Sequence, residues 1–387
     1  MFTVRYFSSF GQLPKTYAVL VEAGAAHGLF GDPEWFDYVM RRVFDRTDSM
    51  RLYGVEDTAG GRPLLLAPLR LSTTDAAVFG ARTIGSVSHP ENYAAIPLSF
   101  DPAAKDRRRI LAALFRHLKK HADGEGESPC DVIRLWPLEA ESDLTESIYG
   151  ALRDAGFLVQ RYANSFNRYE ATEGLSFADY FAARSANLRY SVRRRQRALV
   201  KKGSLELALY RGDDDDLGRA IDDYIAVSLA SWKDAPTMIA PATLELIDLA
   251  ARKGCLRLGI LRLDGVAAAA QFWIVTGGVA HCARLAYREA CKPLAVGVVL
   301  TGFMIAQVLD HDRVSRIDFG YGEEDYKGGW MKSARDYYGF MAFNPSTRRG
   351  AYHGLRQILG RPVKRAITYW RDLASRAHLT VVSRARR

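Results

Sequence analysis

The chain has 387 residues, 48% apolar and 25% charged, which fits a folded globular protein of two domains or one large one. No stretch reaches 18 uninterrupted apolar residues, so no transmembrane helix is expected, and the opening MFTVRYFSSFGQLP lacks the apolar core of a signal peptide. The net charge of +10 is unevenly placed: residues 348–387 hold eleven Arg and Lys against one acid, Asp372, and so account for all of it. Within the balanced remainder, Arg184 to Lys202 carries eight positive charges and no negative one. Two basic elements on a neutral body imply two local anion sites, not a nucleic-acid coat.

Taken in chain order, the first half opens on a short strand at Val4–Phe7, followed by helical patterns at Leu13–Ala23 and Pro33–Phe44. Arg51–Glu56 and Pro63–Leu71 predict a hairpin around Asp57-Thr-Ala-Gly-Gly61, and Val78–Thr83 a further strand. Asp106–Ala122 is amphipathic, with Ile110, Leu111, Leu114, Phe115 and Leu118 on one face. Asp131–Trp136, Leu144–Ala155 and Phe157–Arg161 then read as strand, helix and strand. His117 and His121 stand at i, i+4 with no third ligand near, so a solvated helix face is expected rather than a metal site.

The second half repeats the order. Ser176–Lys202 predicts a helical lead-in broken near Ser185–Asn187. Leu205–Tyr210 is a strand, Asp213–Asp216 an acidic helix start, and Leu217–Ser231 and Pro241–Lys253 are helices. Leu256–Leu263, Ala267–Thr276 and Val279–Arg288 form a meander with turns at Asp264-Gly265 and Gly277-Gly278. A helix at Val298–His311, a strand at Arg316–Phe319, a short helix at Tyr326–Ser333 and a strand at Tyr338–Phe343 close the pattern. The expected class is therefore α/β with a mixed sheet, in two tandem units of like element order at 1–172 and 173–347, followed by a basic tail at 348–387. The four cysteines form no C-x-x-C pair and read as reduced thiols of a cytoplasmic protein.

Several side chains stand out for chemistry. The segment Arg316-Ile-Asp-Phe-Gly-Tyr-Gly-Glu-Glu-Asp-Tyr-Lys327-Gly-Gly-Trp330 runs a strand into a glycine turn followed by acids, a phenol, an ammonium and an indole. Asp318 is either a base facing a cleft or a buried strand-end carboxylate capping that turn. Gln271, mid-strand between Ala270 and Phe272, is either on a cleft face or a satisfied core amide. Trp232 ends a helix, where it lines an acceptor pocket or packs the core. Arg189, Arg193 and Arg197 recur at i, i+4, i+8 and share a face fit for phosphates, with Arg194 and Lys201 beside it.

A meander followed by helix, strand and helix resembles the core order of GNAT acyltransferases. Three pieces narrow the likeness to the FemAB-like, BioF2-like (CelD-type) branch: the basic lead-in Asn187–Gly203, the Ala286-Tyr287 strand end, and Asp318–Trp330. That resemblance implies tandem GNAT-like domains. The first lacks a Lys/Arg-x-x-Gly-x-Gly turn, shows His89-Pro-Glu-Asn-Tyr93 instead, and is read as degenerate. It also implies a pyrophosphate turn at Lys292-Pro-Leu-Ala295-Val296-Gly297-Val298, where a cation and free helix N–H groups meet acetyl-CoA or another acyl-CoA, with no metal. Here Lys stands for Gln/Arg and Ala295 for the first Gly. The implied reaction is acyl transfer to an amine, with Asp318 and Glu323 as bases, Tyr326 as acid, and Tyr287, Lys327 and Trp330 with Arg189, Arg193, Trp232 and Gln271 around the acceptor. The acceptor expected by resemblance is a sugar of an envelope or exopolysaccharide pathway. The alternatives are a Fem-type aminoacyl-tRNA-dependent transferase and a non-catalytic regulator. The tail, with Val363, Ile367, Trp370, Leu373 and Ala377 at helical spacing among arginines, fits three roles: peripheral contact with an anionic membrane at its inner face, packing on the protein, or gripping an anionic nucleotide.

Overall fold

The computed structural model describes residues 1–26, 28–88, 98–122, 128–231, 238–322 and 325–357, without the side chains of Asn164 and Asp325. Their strands form one continuous 13-stranded sheet. The strands are β1 Phe2–Phe7, β2 Ser49–Asp57, β3 Arg62–Ser72, β4 Thr83–Ser86, β5 Ser99–Phe100, β6 Val132–Glu139 and β7 Leu158–Ala171, then β8 Leu205–Tyr210, β9 Leu256–Leu263, β10 Val266–Thr276, β11 Val279–Tyr287, β12 Arg316–Tyr321 and β13 Ser333–Phe343. Their order across the sheet is β1-β2-β3-β4-β6-β13-β7-β12-β11-β10-β9-β8, with β5 beside β3.

The middle of that order joins the two halves. β13, the last strand of the second unit, lies between β6 and β7 of the first. β7, the last strand of the first unit, pairs with β12 of the second. A boundary at 172/173 therefore divides the chain but not the sheet. Both exchanged strands run longer than their local patterns predict, 14 and 11 residues against the expected Phe157–Arg161 and Tyr338–Phe343. Each gains partners on two sides, and neither partner is adjacent in sequence.

The helices are α1 Ala18–Ala25, α2 Pro33–Arg42, α3 Arg107–Leu118, α4 Asp143–Asp154, α5 Phe177–Ala182, α6 Ala186–Lys202, α7 Leu217–Leu229, α8 Pro241–Arg252, α9 Val296–Asp310 and α10 Asp325–Trp330. Local chemistry explains their limits. Ser176 and Ser185 cap α5 and α6 by accepting from Asp179 N and Leu188 N, which breaks the lead-in where expected. The meander turns hold positive φ at both central residues, 49° and 78° at Asp264-Gly265 and 56° and 74° at Gly277-Gly278, as two-residue hairpins require. The strand expected at Val78–Thr83 begins instead at Thr83, because Asp75 accepts from Ala77 N and winds residues 76–78 into a 3-10 turn.

Alternating side chains give each lobe two covered faces. In the first, α3 and α4 bury Leu65, Ile84, Ile133 and Leu135, while α1 covers Leu52 and Leu66 from behind. In the second, α9 packs on Leu261, Ala269 and Trp273, and α7 and α8 pack on the opposite face over Ile260, Ala270 and Phe272. α2 of the first half joins that opposite face through Trp35, Phe36 and Tyr38. His117 is not the solvated residue expected: it packs on Tyr53, 6.2 Å between ring centroids, and burial lowers its pKa to about 4. Residues 348–357, expected as the start of a separate tail, form a helix, α11. Its Gly354 lies against Phe343, and His353 beside it is buried. The remaining tail positions, Val363 to Ala377 among them, lie outside the described residues, as do His89 to Tyr93.

Candidate active site

β11 and β12 run parallel but pair only over Val279–His281 and Arg316–Asp318. Beyond those residues the two strands no longer pair, and α9 packs over β8 to β11 beside them. Its approach is a 3-10 turn, Glu289–Leu294, ending at Ala295, which holds φ 51° and ψ 41°. That left-handed geometry re-aims the chain so that α9 starts with its N–H groups open. Among the described residues no side chain caps it, and Val298 N donates to Ala295 O at 3.0 Å. Helix geometry leaves the Val296 and Gly297 N–H groups without an intrahelical acceptor. α3, the counterpart in the first lobe, is closed by its own Asp106, which accepts from Arg109 N at 3.1 Å. An anion therefore meets an open helix end in the second lobe and a filled one in the first.

A cavity of about 250 Å³ opens at the α9 start. The turn supplies Lys292, Ala295, Val296, Gly297 and Val298, and Thr301 follows one helical turn later. β11 supplies Leu285 and Tyr287, and α10 supplies Tyr326 and Trp330. Gly297 lies close to the Tyr287 ring, which a Cβ on it would meet at 3.4 Å, in van der Waals contact. Lys292 is exposed and ion-paired to Glu289 at 3.1 Å, which raises its pKa and keeps it a cation. Polar donors at one end and apolar walls beyond suit a phosphate joined to a flexible acyl arm.

Trp330 forms part of the wall and part of the core. Its carbonyl accepts from Tyr180 Oη at 2.5 Å and Arg184 Nη1 at 2.6 Å, and its indole stacks on Phe181. Arg184 is in turn paired with the buried Glu170 at 2.5 Å. So one of the eight lead-in cations is structural. The other expected residues divide. Gln271 is fully buried and is a core amide, not an acceptor contact: Nε2 donates to Thr301 Oγ1 at 2.8 Å and Oε1 accepts from Trp273 Nε1 at 3.0 Å. With a longer bond from Nε2 to the Gly297 carbonyl at 3.4 Å, it fastens the first two turns of α9 to β10. Lys327 is also turned inward, 5% exposed, and donates to the Tyr321 carbonyl, so it ties the glycine turn rather than reaching the cavity.

Asp318 lies on the other face of the sheet, since its neighbours Ile317 and Phe319 belong to the α9 side. It is fully buried. Oδ1 accepts from Asn167 Nδ2 at 2.7 Å and Gly320 N at 2.8 Å, and Oδ2 accepts from Arg335 Nη2 at 2.7 Å. These bonds commit it to the sheet and the turn, which corrects the expectation of a base facing the cleft. Beside it in register stands His281, edge-on to Phe30 at 5.0 Å, with Nδ1 lacking a hydrogen-bond partner. Burial, with Arg316 and Arg335 adding, lowers its pKa to about 4, so the imidazole is neutral near pH 7. Glu323 and Trp232 lie outside the described residues.

Arg189 and Arg193 stand on α6 along an open groove of about 630 Å³, with Arg194, Arg197 and Lys201. The inner face of α6 packs on α9 and on the 289–294 turn. Arg193 lies over the Phe181 ring at 5.7 Å, and Phe181 stacks on Trp330, so the basic face flanks the cavity. Sequence reasoning passed over Thr301 and Leu285 of the cavity, and His281 and Arg335 behind it. Thr301 was findable, being four residues after Gly297 on the same helix face. The other three depend on strand pairings that no local pattern encodes.

Residues 186–328 match the family model described as an acetyltransferase (GNAT) domain. Among solved structures, FemX aligns with a TM-score of 0.54 at 10% identity, over 84% of this chain and 96% of that one. A tandem GNAT protein from the clavulanic acid biosynthesis pathway aligns with a TM-score of 0.50 at 14% identity, over 90% of this chain and all of that one. A conserved protein of unknown function from Bacteroides thetaiotaomicron VPI-5482 gives 0.50 at 10% identity, over 88% and 99%. No curated protein matches the sequence. The chain thus has the mixed α/β fold of tandem GNAT proteins, and residues 186–328 of its second lobe are similar to an acetyltransferase (GNAT) domain.

Proposed function

We propose that the chain transfers an acyl group from the thioester of acyl-CoA to an amino group, on a sugar or other precursor of an envelope or extracellular polysaccharide. The observation that carries this reading is the uncapped start of α9 opening into a cavity walled by the end of β11 and by α10. In the reaction the amine nitrogen attacks the carbonyl carbon, the C–N bond forms, and the C–S bond breaks. The amine loses one proton and the leaving sulfur gains one. Val296 and Gly297 N–H with Lys292 hold the diphosphate, with Arg189 and Arg193 beside them for the remaining donor phosphate. Tyr287 and Trp330 wall the pantetheine arm, and Tyr326 is the acid for the sulfur. Glu323, in the segment after β12, takes the amine proton. Thiol release from acetyl-CoA, measured against a panel of amino sugars, tests the reading. No release with any amine refutes it.

The basic face of α6 favours one other reading, an aminoacyl-tRNA-dependent transferase, in which α6 tracks RNA phosphates and affinity falls steeply with salt. Calorimetry separates the two: acetyl-CoA binding supports the first, and salt-sensitive tRNA binding without it supports the second.

A further inference from the structure

We propose that the outer face of α6 is a docking surface for an acidic carrier protein that delivers the acyl group as a phosphopantetheine thioester. This rests on the donor reading above and names the donor's class. Among the described residues, no carboxylate lies within 4.0 Å of Arg189, Arg193, Arg194, Arg197 or Lys201, although ion pairs are frequent elsewhere on the surface. The Nε of Arg189 is buried without a hydrogen-bond partner. From Arg189 to Lys201 the cations run about 18 Å along the helix. Free CoA presents a diphosphate, which the α9 turn already faces, and a single further phosphate. Five cations with no carboxylate among the described residues over that length exceed what one phosphate takes up, and they match a row of carboxylates on a partner.

Apolar surface accompanies the charge. Tyr190 and Val200 stand 67% and 61% exposed among these cations, a mixture that suits a protein contact better than a phosphate track. Position decides between occupants. A membrane has no need to meet the chain beside the acyl cavity, whereas a carrier, like a charged tRNA, must dock within reach of the acyl group it bears, and between those two the exposed Tyr190 and Val200 favour the protein. α6 meets that condition through its contacts with α9 and the 289–294 turn. The α9 turn agrees: a carrier-borne arm brings one phosphodiester instead of a diphosphate, so a Cβ at Ala295 costs it less room. The chemistry is unchanged. The acyl C–S bond breaks, the C–N bond forms, the amine's proton ends on sulfur, and the carrier leaves as a free thiol.

The test uses the full chain and a bacterial acyl carrier protein charged with acetyl-phosphopantetheine. Fluorescence anisotropy measures carrier binding, and calorimetry measures acetyl-CoA binding. The triple variant Arg194→Glu/Arg197→Glu/Lys201→Glu alters only exposed positions outside the donor contacts. The expected result is carrier binding that weakens with salt and is lost by about tenfold or more in the variant, with acetyl-CoA affinity unchanged. Acetyl-CoA binding without carrier binding overturns the docking proposal alone, as does a variant that weakens both donors equally. Tighter binding of tRNA than of the carrier through the same three residues also overturns it. Binding of neither acetyl-CoA nor S-acetyl-pantetheine overturns the donor cavity itself.

Discussion

Arg335 on β13 reaches across β7 to Asp318 on β12, its Nη2 donating to Oδ2 at 2.7 Å. β7 contributes Asn167, which donates to Oδ1 at 2.7 Å and accepts from Arg335 Nε at 3.2 Å. One buried ion pair and one amide thus pin together the three strands that join the lobes. A buried pair adds little against an apolar replacement, but breaking it leaves a charge unpaired. Asp318→Asn is therefore expected to lower stability by about 3–5 kcal/mol, read from denaturant unfolding. A variant that loses activity at full stability would restore Asp318 as a catalytic base.

His281 gives a pH signature. Its folded pKa, about 4, lies below the ordinary value of 6.5, so between those values the unfolded chain binds a proton that the folded chain refuses. The stability it supplies is complete above about pH 6.5 and is lost as pH falls toward 4, an effect of up to about 3 kcal/mol. Unfolding free energies across pH 4–7 should fall less steeply for His281→Gln than for the unaltered chain. Parallel slopes would show that His281 takes no part.

The share of the fold visible in the sequence follows from how local each cause is. Ser185 and Asp264-Gly265 act on their immediate neighbours, so the lead-in break and the hairpin turn were legible. The cavity wall from Lys292 to Val298 was legible through the resemblance, because one contiguous turn makes it. β7 and β13 were not, since their length comes from partners more than 150 residues away in part. Asp318, Gln271 and Lys327 were marked because polar residues stand out in apolar strands and turns. What the sequence lacked was their partners, Arg335, Thr301 and the Tyr321 carbonyl, which make them anchors.

Ala295 sits at φ 51°, where a Cβ costs about 1 kcal/mol. Ala295→Gly should raise stability by up to about 1 kcal/mol and tighten acetyl-CoA binding, since the backbone then approaches a phosphate without the methyl. Thermal unfolding and calorimetry read the two effects. Weaker binding in the glycine variant would mean that the methyl contributes to the site.

Arg189 and Arg193 are half-buried and exposed respectively, and neither has a carboxylate partner among the described residues. Arg189→Gln/Arg193→Gln should leave the fold intact and raise the donor KM by about tenfold or more, with kcat changed far less. An unchanged KM would remove these arginines from the donor site.

The central claim is that the open start of α9 and its cavity hold the acyl donor. Calorimetric titration of the full-length protein with acetyl-CoA tests it most directly. One molecule bound per chain, with affinity reduced in Arg189→Gln/Arg193→Gln, is the predicted result. No binding heat from a demonstrably folded protein at several temperatures would contradict the account.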